Sequence, residues 1–81
     1  MPSPLSDSSE GRIVAIHGSV VDIKFAEGSL PAIDEAISIG GDLGRTLVAE
    51  VQQHLDPDTV RAVALGDTSG LRRGIPAQAL G

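Results

Sequence analysis

The sequence predicts an all-β fold, a small closed six-stranded β-barrel. Three observations carry that expectation. Apolar and polar residues alternate with period two along five or six short runs. Gly, Pro, Asp or Ser bounds each run. No stretch carries the periodicity of a helix of useful length. Closure is expected because an open sheet leaves unpaired edge strands that invite aggregation.

The opening stretch, MPSPLSDSSE, is rich in Ser, Pro and acid. Residues 1–10 read as a disordered tail, and 11–81 as the barrel domain. RIVAIH is the first strand, with Arg12, Val14 and Ile16 expected on one face and Ile13, Ala15 and His17 on the other. Gly18-Ser19 joins it as a hairpin to VVDIKF. There Val21, Ile23 and Phe25 oppose Val20, Asp22 and Lys24. AEGSLPAI reads as a loop broken by Gly28 and Pro31. IDEAISI places Ile33, Ile37 and Ile39 on one face of a short strand, with a helical turn over Asp34 to Ile37 as the alternative. GGDLGR is an exposed loop. TLVAEVQQHL sets Leu47, Ala49 and Val51 against Thr46, Val48, Glu50 and Gln52. TVRAVAL is a further strand, GDTSGLRRG a turn region and IPAQAL a last short strand.

Composition excludes several function classes. The 81 residues carry a net charge of -5, with one Phe and no Cys, Trp or Tyr. A chain this short buries only about 60% of the surface its unfolded form exposes. Its core must come from Val, Ile, Leu and Ala around Phe25. One lysine, five scattered arginines and no stacking rings speak against nucleic acid. No apolar run approaches the ~20 residues of a membrane helix, so no direct membrane contact is expected. The tail lacks the pattern of a signal peptide. The absence of cysteine fits a cytoplasmic setting.

Each candidate for chemistry has a plainer reading. In HLDPDTVRA, His54, Asp56 and Asp58 suggest a metal site. Yet Asp56-Pro57-Asp58-Thr59 has the pattern of a type I turn, in which Pro fixes φ and the first Asp accepts a backbone N–H. A zinc site needs three or four converging ligands, and only one imidazole is near. His17 ends a strand beside a turn, and alternation gives Ser19 and Asp22 no reason to converge on it. Asp34-Glu35, the only adjacent carboxylate pair, reads as solvated surface. The glycines lack the Gly-Lys-Ser/Thr of a phosphate loop, since Lys24 lies between Ile23 and Phe25. No catalytic, cofactor-binding or metal-ligating residue is expected.

GRIVAIHGSVVDIKF, LP, VAEVQQHLDPDTVRAVAL and TSGLRRG, in that order, resemble the N-terminal domain of the β subunit of F-type ATP synthases. GSVVDIKF with LP favours the β over the α subunit. Ser19 stands where the family usually has Pro, and Leu80-Gly81 where Thr-Gly is usual, as in a divergent branch. The resemblance implies a six-stranded barrel that alternates with α-subunit barrels in a crown holding the α/β hexamer together. It implies a parent peripheral to a membrane, on its cytoplasmic side. That parent would bind ATP/ADP and Mg in a following domain and couple ATP synthesis or hydrolysis to movement of an ion, proton or sodium. No cofactor is expected within this chain, and the implied partners are α subunits. Aliphatic residues on both faces of RIVAIH and TLVAEV predict an apolar stripe on the outer wall, and with it weak self-association. Because the chain ends at Gly81, it reads as one domain of a longer protein. The alternatives are a free-standing small β-barrel binding module and a small enzyme.

Overall fold

The computed structural model describes residues 10–26, 30–40 and 46–80. Residues 1–9 of the expected tail, most of GGDLGR and part of the AEGS loop lie outside them, while Glu10, counted with the tail from the sequence, is the first residue of a strand. Six strands form the described chain: β1 (Glu10–His17), β2 (Val20–Phe25), β3 (Ala36–Ile39), β4 (Leu47–Asp56), β5 (Thr59–Ala64) and β6 (Pro76–Ala79). They close into an antiparallel barrel in the order β1-β2-β5-β4-β3-β6.

The interior follows from alternation. Val21, Ile23 and Phe25 of β2 point inward and are almost wholly buried, as are Ile37 and Ile39 of β3 and Val51 of β4. At several ladder positions a large inward side chain faces a small one: Ile37 opposite Ala49, Ile39 opposite Ala77, Val21 opposite Ala62. That pairing fills a narrow barrel with side chains. Each fully buried Ile or Val contributes about 1.5–3 kcal/mol. Among the described residues no buried side-chain polar atom lacks a partner.

Two expectations of face are corrected. In β1 the register slips between Ile13 and Ala15, so Val14 occupies a bulge. One extra residue reverses the phase of everything after it. Ile16 therefore pairs with buried Val21 and packs on the core, while Ala15 pairs with outward Asp22. Ile16 does not share a face with Arg12 and Val14. The expected run over Ile33 to Ile39 starts only at Ala36. Asp34 has φ 73°, a left-handed angle that short polar side chains tolerate, and it turns the chain before the strand begins. Ile33 is left half exposed.

The β4–β5 hairpin closes through Pro57 and Asp58, with Asp56 paired to Thr59. The Asp58 N–H donates to Asp56 Oδ1 at 3.1 Å, as the turn reading required. Neither turn residue has positive φ, which excludes the primed turns usual in two-residue hairpins. An unprimed turn splays its strands, and β4 takes up the mismatch in bulges at Gln52 and Leu55.

Candidate functional site

The histidine of HLDPD lies at the barrel rim, in register with buried Val60. Its Nε2 is 2.8 Å from the carbonyl of Pro31. A carbonyl only accepts, so Nε2 carries the proton and donates. His54 thus tethers the Leu30–Glu35 segment, where Pro31 is buried and Leu30 packs on the core. Two further bonds hold that segment to β4: Asp34 N–H to Val51 O at 2.8 Å and Val51 N–H to Glu35 O at 3.0 Å. Sequence reasoning missed this tether, which links residues 23 positions apart. Asp56 serves the turn, and hydrogen bonding with Asp58, first through the Asp58 carboxyl in its protonated form and then through its backbone N–H, holds the Asp56 carboxyl below the usual range. Among the described residues, no group of three or more His, Asp or Glu side chains is arranged to hold a metal.

His17 and Ser19 flank the first turn, both exposed. Asp22 turns away from them toward β5. Arg61 Nε donates to its Oδ1 at 2.9 Å and Arg61 Nη2 to its Oδ2 at 3.1 Å. This fork raises the Arg61 pKa above its ordinary value. Asp22, 7% exposed on the outer wall, is the one buried acid among the described residues. Opposite charges on the polar faces of β2 and β5 were visible in the sequence. Their adjacency was not, because it depends on which strands neighbour. Glu35 is no free carboxylate either, since its Oε1 accepts the Ala32 N–H at 2.8 Å.

The outer wall remains. In the strand order, β1 lies three places from β4 and β2 three places from β3, so the β1–β2 and β3–β4 faces are diametrically opposed. The β1–β2 face carries Val14, pushed out by its bulge to 39% exposure. A shallow depression beside it is lined by Glu10, Gly11, Arg12, Val14 and Lys24. The β3–β4 face carries half-buried Val48 opposite Ser38, and exposed Glu50 opposite Ala36. Leu65 lies just past β5, 61% exposed, with its N–H on Val48 O at 2.8 Å. Val20 on β2 and Val63 on β5, outward and directly paired, carry the aliphatic exterior from the β1–β2 face onto β5. The aliphatic exterior is therefore real but differs from the expected one. In β1 it consists of Val14 and Ala15, and Ile16 belongs to the core.

The profile of the ATP synthase alpha/beta family, beta-barrel domain, matches residues 13–81. The chain belongs to this family. Among similar proteins, ATP synthase subunit beta 2 of Bradyrhizobium sp. strain BTAi1 is 61% identical over 71 residues, covering 88% of this chain and 15% of that subunit. ATP synthase subunit beta 3 of Paraburkholderia xenovorans strain LB400 is 50% identical over 76 residues, 94% of the chain and 15% of the subunit. ATP synthase subunit beta 2 of Gluconobacter oxydans strain 621H is 50% identical over 74 residues, 91% of the chain and 15% of the subunit. The chain spans about 15% of the length of these curated relatives. The motif resemblance to the N-terminal barrel of ATP synthase β subunits thus holds across most of the chain, and the six-stranded barrel agrees with the family's description. Among the described residues no helix is long and apolar enough to cross a membrane.

Proposed function

We propose that this barrel is a structural assembly element of an ATP synthase β subunit. It alternates with α-subunit barrels in a crown that ties the α/β hexamer together. On this reading ATP/ADP and Mg bind elsewhere in the parent subunit, and this chain supplies no catalytic, cofactor or metal residue. The parent complex is peripheral to a membrane on its cytoplasmic side, and it couples ATP synthesis or hydrolysis to transport of a proton or sodium ion.

The observation that carries the reading is the pair of outward valines on opposed faces, Val14 on β1 and Val48 on β4. A member of a closed alternating ring touches its two neighbours through two different surfaces. A strand facing only water would present polar side chains there. On this reading the bare faces should also give the isolated chain weak self-association.

The test is binding of this chain to the full-length α subunit, read by sedimentation and pull-down. Val14→Asp and Val48→Asp should each weaken the complex while leaving the melting temperature of the chain nearly unchanged. If the α subunit does not bind, or if both variants bind as the parent chain does, the crown reading fails.

A further inference from the structure

The two opposed faces differ in charge as well as position. On the β1–β2 face Arg12 and Lys24 lie directly opposite one another in the ladder, both exposed. Like charges so placed repel. Neither is well neutralised within the described chain. Arg12 Nη1 donates to the Gly74 carbonyl at 3.0 Å and meets no carboxylate within ion-pair distance among the described residues. Lys24 Nζ is 3.7 Å from Asp58 Oδ2, a long contact on a side chain 59% exposed. Glu10 lines one side of the depression without an ion pair to either cation among the described residues. Asp22, the other acid on this face, is taken by Arg61. The opposed β3–β4 face presents Glu50, exposed beside Val48, and no Lys or Arg among its described strand residues.

Resting on the crown reading, we infer that the β1–β2 face docks a carboxylate-bearing strand face of the adjoining α-type barrel. Its acid enters between Arg12 and Lys24, and an apolar side chain seats against Val14. The chemistry required of the partner is that of this chain's own β3–β4 face, Val48 beside Glu50. Complementary charge fixes register and rejects wrong pairings. A barrel that is basic on one side and acidic on the other can be entered in the ring in one direction only. Gly11 lines the depression with backbone alone, because a Cβ there would point into the core, 2.9 Å from Phe25 Cδ2 and 3.0 Å from Ile23 Cγ2.

Lys24 is the only lysine of the chain, which makes the test direct. A zero-length carbodiimide joins an amine to a carboxylate in contact with it. With the full-length α subunit, the expected product is an intermolecular amide between Lys24 and one α-subunit Asp or Glu, located by peptide mass spectrometry. It should be absent from Lys24→Arg, which keeps the charge and should keep binding. Lys24→Glu should weaken the complex by about tenfold or more. Binding of the parent chain should also fall as salt rises from about 50 to about 500 mM. A complex that forms but ignores Lys24→Glu and salt, or cross-links only elsewhere, overturns this inference and leaves the crown role standing. Absence of any complex overturns both.

Discussion

Substituting Gly11 by alanine sets two effects of opposite sign against each other. Gly11 does not have positive φ, so alanine could adopt its backbone angles. Removing glycine's freedom from the unfolded chain stabilises by about 0.4–1 kcal/mol at such a position. The added Cβ, however, would lie 2.7 Å from the Lys24 carbonyl oxygen, 2.9 Å from Phe25 Cδ2 and 3.0 Å from Ile23 Cγ2. The first neighbour is backbone, so it cannot rotate away, and the other two are buried side chains of the core. Forcing a methyl group into such a site costs about 1–3 kcal/mol. The overlap wins, with a net loss of about 1–2 kcal/mol. For a domain of this size that lowers the melting temperature by about 5–15 °C. Thermal unfolding followed by far-UV circular dichroism, with urea titrations for the free energy, would measure it. Gly18 is the control: it has φ 62° and nothing within 4 Å of a built Cβ. There Asn should be tolerated better than Val, because the penalty is backbone strain alone. A Gly11→Ala protein that melts at or above the parent would show that the β1–β2 ladder has slack and that the steric reasoning is wrong.

Three other outcomes follow from the same geometry. His54→Ala should destabilise by about 1 kcal/mol through loss of the Pro31 tether, and zinc should leave the melting temperature of both proteins unchanged; a zinc-dependent rise confined to the parent would mark a metal site instead. The folded pKa of Asp56 lies below its unfolded value, so its contribution is complete above that value and fades as pH falls through the folded one; Asp56→Ala should therefore flatten the stability profile below about pH 4 relative to the parent, and an unchanged acid limb would remove Asp56 from the account. Magnesium-ATP should give no saturable heat with this chain by calorimetry, because no lysine-bearing phosphate loop is present.

Alternation made most of the strands legible. Val20 to Phe25 keeps strict phase, so its inward and outward residues were assigned without coordinates, while Thr59 to Ala64 was legible as a strand without its faces. Asp56-Pro57-Asp58 announced its turn because each residue type has a local reason to be there. What stayed hidden was non-local or out of phase. The bulge at Val14 has no sequence marker, yet it sends Ile16 to the core. The placing of β5 rather than β3 beside β2 depends on pairings between distant residues, and the Asp22–Arg61 fork depends in turn on that placing. The valines were visible as aliphatic residues on polar faces. Their position on opposed sides of a closed wall was not, since only the order of strands around the barrel decides it.

The four residues of β6 have a kinetic consequence. Without them β1-β2-β5-β4-β3 is an open sheet whose two edges, β1 and β3, are the strands β6 joins. The pairing of Glu10 with Gln78 spans 78 − 10 = 68 positions, among the longest in the fold. Loops that long are slow to close, because their entropy is spent before the contacts form. β6 also brings little apolar bulk to the closure, with only Ala77 fully buried and Ala79 partly so. The topology predicts that this strand docks late in folding. On that order the edges of the first and third strands would stay open to pairing with other chains until Pro76–Ala79 docks. The interval in which the barrel is most exposed to aggregation is set by the last strand to be made.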